Sequence, residues 1–214
     1  MDALVKRIRD AGYTSATTVS TRDARNPLLD APESAIRDLK AALAKYDVVI
    51  FDVMTWCNPI HPDPAVRAKF RRYLVESIET AERIGAPMIT SVTGSCNPDF
   101  YNGIHPDNWS TETWKTTVRY YRELLRDTAG MKTALGMEAT VTTNLDGVEA
   151  HLRLKNDLNG DPRLRVCLDP TNMISLQNYY HTTELLNECF DRLGEDILGC
   201  HAKDTWIEPD VQTL

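Results

Sequence analysis

The chain has 214 residues, 42% hydrophobic and 26% charged, enough to bury the core of one domain and short of two ordinary ones, so residues 1–214 are read as a single domain. A net charge of −7 argues against a nucleic-acid partner, because phosphate recognition calls for a basic stripe. No apolar run approaches the ~20 residues of a membrane span and no basic-then-apolar leader opens the chain, which predicts a cytoplasmic protein with no membrane partner.

Ala3 to Gly12 reads as a helix and Tyr13 to Val19 as a Thr/Ser-rich strand. Glu33 to Lys45 is helical, and Asp47 to Val53 is a nearly continuous apolar strand, the pattern of a strand buried on both faces. From Pro64 to Gly85 the residues Phe70, Tyr73, Leu74, Ile78, Ala81 and Ile84 recur at spacings of three and four, which is one face of a helix. The basic run Lys69 to Arg72 on that helix is read as a solvated face. Pro87 to Val92 is the next strand, followed by the turn Thr93–Gly94–Ser95. Ser110 starts a helix that reaches Gly130. A strand (Ala134–Ala139), helix (Gly147–Leu158), strand (Arg163–Leu168), helix (Thr182–Leu193) and strand (Asp196–His201) complete the series. Five cysteines, Cys57, Cys96, Cys167, Cys189 and Cys200, lack CxxC spacing and read as buried thiols rather than a disulfide framework or zinc knuckle.

Alternating strands and helices of this kind imply an α/β fold around a parallel sheet. An open doubly wound sheet would carry a glycine-rich phosphate turn, and no GxGxxG occurs. The polar residues cluster at strand exits, as in a (β/α)-barrel. Six strand candidates against the barrel's eight predict an incomplete barrel without its first and last units. Two exposed sheet edges would follow, open to aggregation or to a homo-oligomer built edge to edge.

Glu138, Asp169 and His201 stand at the exits of three successive strands, whose C-terminal ends lie side by side in a barrel. Two carboxylates and one imidazole form a mixed site for a single divalent cation, Mn²⁺, Mg²⁺, Co²⁺ or Zn²⁺. Each residue alone has a plainer reading, the aspartate as a helix cap and the histidine as a hydrogen-bonded core residue. Lys203 should point to the same side as His201 and either act catalytically by neutralising developing charge, or bind a substrate oxygen, or simply pair with Asp204. Trp56, Asn58 and His61 follow the second strand and form either the wall of a small-molecule pocket or a turn set by Asn58–Pro59 and His61–Pro62.

The segments Gly136–Met137–Glu138, Arg165 through Ile174 (RVCLDPTNMI) and Cys200–His201–Ala202–Lys203–Asp204 resemble the "E … lDPxN … HxKD" series of xylose isomerase-like TIM barrels. Gly85–Ala86, Thr93 through Pro98 and His105 through Ser110 extend the resemblance over nearly the whole chain. It implies metal ligation by Glu138, Asp169 and His201, with Glu138 also a base and Asn172 at a position that touches substrate. The implied activity is metal-dependent isomerisation or epimerisation of a sugar, sugar phosphate or polyol through an enediolate. Dehydration of an inosose-like substrate and a non-catalytic barrel remnant are the alternatives. The epimerases of this family carry a second glutamate on the eighth strand. Glu208 is the nearest carboxylate here and reads as a loop residue, so weak epimerase activity of the 214-residue chain is expected.

Overall fold

In the computed structural model, residues 1–19 and 26–206 are described. Glu208 lies outside them. The elements alternate as expected: α1 (Asp2–Asp10), β1 (Ser15–Val19), α2 (Glu33–Tyr46), β2 (Val49–Met54), α3 (Pro64–Ile84), β3 (Met88–Ser91), α4 (Thr111–Asp127), β4 (Ala134–Met137), α5 (Val148–Asp157), β5 (Leu164–Leu168), α6 (Thr182–Leu193) and β6 (Ile197–Cys200). The strands pair in chain order, β1-β2-β3-β4-β5-β6, all parallel. This is the wall of an incomplete (β/α)-barrel, curled so that its far strands meet across the interior. A Cβ at Gly199 in β6 would come within 2.9 Å of both Phe51 Cε1 in β2 and Met88 Cε in β3.

Local signals set the element ends. Asp63 accepts the Ala65 N–H at 2.7 Å ahead of Pro64 at the start of α3, and Gly85 ends the helix in the left-handed region at φ 80°, which suits a residue without Cβ. Ser110 Oγ accepts from Thr113 N at 3.1 Å to open α4. Asp47, expected as the first residue of β2, instead closes α2 at φ 52°, and Tyr13 precedes β1.

The core fills the layer between sheet and helices, with Leu74, Ile89, Tyr121, Leu124, Leu135 and Leu154 all at 1% exposure or less. Alternation then sends Met88, Thr90, Gly136, Cys167 and Gly199 toward the lumen. β2 breaks this alternation. Ala16 pairs with Ile50 and Thr17 with Asp52, so Phe51 is an extra residue opposite β1. Such a bulge re-aims side chains, and Phe51 and Asp52 both line the lumen. The expected burial of β2 on two apolar faces fails at both ends of the argument: Val49 is 56% exposed, and the buried inward residue Asp52 is charged.

The basic run on α3 is more than a solvated face. Arg71 is paired with Glu123 and, at 2.5 Å, with Asp127 of α4, so it ties two neighbouring helices together. All five cysteines are free. Cys57, Cys167 and Cys189 are buried as expected, whereas Cys200 is exposed.

Candidate metal and substrate site

Glu138, Asp169 and His201 each sit one residue beyond β4, β5 and β6. Backbone bonds carry the ladder through these positions: Glu138 N donates to Ser91 O at 2.9 Å and His201 N to Leu168 O at 2.8 Å. The side chains therefore leave fixed backbone and converge. Glu138 and Asp169 are 4% and 1% exposed. His201 Nδ1 lies 2.9 Å from Glu138 Oε2 and 3.4 Å from Asp169 Oδ2. Only the Asp169 contact has hydrogen-bond angles, which leaves Glu138 Oε2 buried without a hydrogen-bond partner.

Two polar neighbours hold the carboxylates in place. Asn172 Nδ2 donates to Glu138 Oε1 at 2.6 Å and to Asp169 Oδ2 at 3.2 Å. Thr171 Oγ1 donates to Asp169 Oδ1 at 2.8 Å. Lys203 pairs with Asp169 Oδ2, not with Asp204, whose carboxylate accepts from Thr205 N. The Lys203 side chain is half exposed and stands at the mouth of the site.

The charges in this cluster depend on one another. Burial by itself would raise the Asp169 pKa, but hydrogen bonds from His201, Lys203 and Thr171 outweigh it and hold the carboxyl well below the usual range. Contacts with Asp169, with Cys167 Sγ at 3.6 Å from Nε2, and with Glu138 push the His201 imidazole up to about 12. An imidazolium and an ammonium thus neutralise two buried carboxylates.

The donor set suits a divalent cation. Glu138 and Asp169 would each offer an oxygen and His201 a nitrogen to such an ion, and the two oxygens stand 2.9 and 3.4 Å from His201 Nδ1. The orphaned Glu138 Oε2 is the atom such an ion would satisfy. Among the described residues, the set whose ligand atoms all lie within 4.8 Å of one another is Glu138, Cys167 and His201, with Cys167 where Asp169 was expected.

The three residues expected after β2 divide into two kinds. Asn58 is 3% exposed; its amide donates to Ser95 O and Asn97 O at 2.8 and 3.1 Å and accepts from Ser95 N at 2.9 Å. His61 Nδ1 accepts from Asp63 N at 3.0 Å, which leaves Nε2 to donate to Pro98 O at 3.1 Å. The polar atoms of Asn58 and His61 are spent on joining two loops. Trp56 stacks on Tyr101, with ring centroids 6.0 Å apart and planes 17° apart. Burial raises the Tyr101 phenol pKa, with a further push from the charge of Glu138 against that of Lys203.

Sequence reasoning passed over Tyr101, Cys167 and Asp52. Asp52 is 3% exposed. Burial pushes its carboxyl up to about 6, against a bond from Thr90 and the charge of His201. A carboxylate inside an apolar run was the available signal for it.

An open parallel barrel with acid and imidazole side chains at its strand exits defines a class of α/β protein. The chain belongs to the xylose isomerase-like TIM barrel family, whose model matches residues 5–212. No curated protein matches it significantly in sequence. Among solved structures it is similar to D-psicose 3-epimerase from Clostridium cellulolyticum H10, solved with D-tagatose, at 14% identity and TM-score 0.70, over 90% of this chain and 65% of that one. It is similar to endonuclease IV from Thermus thermophilus, at 15% identity and TM-score 0.71, over 95% and 71% of the two chains. A xylose isomerase-like TIM barrel protein from Mycobacterium smegmatis, in complex with magnesium, matches at 16% identity and TM-score 0.65, over 89% and 64%. At these identities the likeness is one of fold. The chain spans about two thirds of the length of these structures. No helix among the described residues is long and apolar enough to cross a membrane.

Proposed function

We propose that the chain is a divalent-metal-dependent isomerase or epimerase acting on a small hydroxyketone, a sugar or a related polyol derivative, with Glu138, Asp169 and His201 as metal ligands. The observation that carries this reading is the buried, hydrogen-bond-free Glu138 Oε2 at 2.9 Å from His201 Nδ1, with Asp169 Oδ2 at 3.4 Å from the same nitrogen. A divalent cation bound there would polarise a substrate carbonyl and acidify the adjacent C–H. The magnesium complex of the Mycobacterium smegmatis relative supports the metal, and the D-tagatose complex of the Clostridium epimerase supports a sugar-like ligand.

The remaining roles belong to the chain's own side chains. Asn172 orients the Glu138 carboxylate through Oε1, and that carboxylate would take up the proton released from substrate carbon. Lys203 supplies a positive charge at the mouth, where negative charge develops on substrate oxygen. Trp56 and Tyr101 offer an aromatic wall to the apolar face of a ring or chain and exclude water. The acidic net charge of −7 favours a small-molecule substrate over a nucleic acid.

Exchange at carbon tests the proposal. D-tagatose and other ketohexoses incubated in D₂O with Mn²⁺ or Mg²⁺ should incorporate deuterium next to the carbonyl, followed by NMR, and chelation should stop it. Glu138→Gln should lower the exchange rate by about 10²–10⁴-fold, the range for removing a positioned base. Metal-independent exchange, or exchange unchanged in Glu138→Gln, would contradict the assignment. Loss of water from the substrate without exchange would place the chain with dehydration chemistry.

A further inference from the structure

Below the carboxylates the barrel is hollow. A cavity of about 200 Å³ runs along the lumen between the first and last strands, lined by Ser15, Thr17, Phe51, Asp52, Cys167 and His201 among others. Its walls are largely apolar, and Gly199 keeps it open where a side chain would meet Phe51 and Met88.

Asp52 is the exception in that wall. It is 3% exposed, and only one of its oxygens is engaged: Oδ2 accepts from Thr90 Oγ1 at 2.8 Å, while Oδ1 is buried with no hydrogen-bond partner. An unmet buried carboxylate oxygen costs roughly 1–3 kcal/mol or more. The fold does not need that cost, because alternation would have sent Asp52 and Phe51 to opposite faces. The bulge opposite Ala16 and Thr17 brings both into the lumen, on the cavity that also reaches His201.

We propose that Asp52 is a specificity-determining residue that accepts a hydrogen bond from one hydroxyl of the substrate carbon chain, through Oδ1, when that chain extends from the metal site into the lumen. This rests on the substrate class proposed above and deepens it: the ligand is polyhydroxylated, one hydroxyl lies on the lumen side of the reacting carbonyl, and its deoxy counterpart is a poor ligand. A site built to take a hydroxyl rejects the analogue that lacks it, because the buried acceptor is then left unpaired. The space of about 200 Å³ admits a few carbons and their hydroxyls.

The test is a calorimetric titration of the Mg²⁺-loaded protein with D-tagatose and a series of its monodeoxy derivatives. The expected result is one derivative that binds about tenfold or more weakly than D-tagatose, the others within about threefold. The double variant Asp52→Leu/Thr90→Val replaces both partners by apolar groups of similar shape. It should keep or raise the melting temperature of the ligand-free protein and flatten the series. Asp52→Ala serves as a second variant with the same expected flattening. A flat series in the wild type, no binding of any member, or a variant that weakens every sugar equally while losing stability would overturn the proposal, the last by assigning Asp52 a structural role. Glu138→Gln separates this from the reaction itself. A selective series with no deuterium exchange in any protein keeps the Asp52 assignment and removes the isomerase reading; exchange with a flat series does the reverse.

Discussion

Two buried polar clusters lie at the same end of the barrel and are built on opposite principles. The first joins the loops after β2 and β3. Asn108 is fully buried and accepts from Cys96 N at 2.8 Å and Ser95 Oγ at 3.1 Å, while its amide donates to Gly103 O and Thr142 O at 3.0 and 2.7 Å. Asn58 saturates its amide in the same way, and Gly94, at φ 86°, leaves room that a Cβ would take from Asn58 Oδ1. The second cluster, after β4, β5 and β6, is unfinished. Glu138 Oε2 has no hydrogen-bond partner, nor has Oδ1 of nearby Asp52, and two carboxylates depend on an imidazolium and a lysine for charge balance. A saturated network stabilises the fold, whereas an unsaturated one stores binding capacity for a group the chain does not supply.

That contrast can be broken first at its structural pole. Asn108→Ala orphans the Cys96 N–H and the Thr142 carbonyl, while Ser95 Oγ and Gly103 O keep their own bond, and we expect a loss of about 3 kcal/mol in chemical denaturation with little effect on metal affinity. A loss under about 1 kcal/mol would show that the loops do not depend on this amide.

The functional pole responds to pH. The His201 pKa is raised to about 12, so its contribution to the metal-free protein is complete below the unfolded value of about 6.5 and is lost as pH rises toward 12. Asp169 is held below the usual carboxylate range; its contribution is present above about pH 4 and is lost on acidification. Chelated protein should therefore be most stable between about pH 4 and 6.5 and lose at most about 1.4 kcal/mol per unit above it from His201. His201→Gln should remove that alkaline slope, as judged by urea midpoints across the range. A slope unchanged in the variant would assign it to other groups.

A smaller effect sharpens the picture of the lumen. Gly199→Ala places a Cβ against Met88 and Phe51, and because the Met88 contact is the end of a flexible chain, the expected cost is about 1–2 kcal/mol. A crystal structure of the variant should show Met88 displaced into the cavity. Least affected is the outer layer. Arg71→Ala severs the bridge from α3 to Glu123 and Asp127, and for this partly exposed network about 1 kcal/mol in thermal unfolding is expected.

Much of the architecture was legible because strand and helix periods are local. The spacing that put Glu138, Asp169 and His201 at successive strand exits was enough to bring them together, since parallel neighbours align their C-terminal ends. Asn172 was legible only as a position in a motif; its bonds to Glu138 and Asp169 depend on the turn after β5. Asp52 was hidden because its direction is set by pairing with β1. Without the extra residue at Phe51, the same sequence reads as one apolar run. For Asn58 and His61 the sequence left pocket wall and turn equally open, because composition cannot reveal that Ser95, Asn97, Pro98 and Asp63 already use their polar atoms. Asp169 also departs from the plainer reading of a helix cap, since its side chain makes no cap bond to the following turn and instead takes bonds from Thr171, Asn172, His201 and Lys203.

The central claim is that Glu138, Asp169 and His201 form one divalent cation site. Calorimetric titration of Mn²⁺ into chelator-treated, dialysed protein tests it most directly. One ion per chain should bind, with affinity rising from about pH 6 to 9 because each ion bound must displace the imidazole proton, and Glu138→Gln should weaken it by at least about tenfold while the far-ultraviolet circular dichroism is unchanged. Equal Mn²⁺ affinity in Glu138→Gln and the parent chain, or no binding by the parent, would contradict the claim.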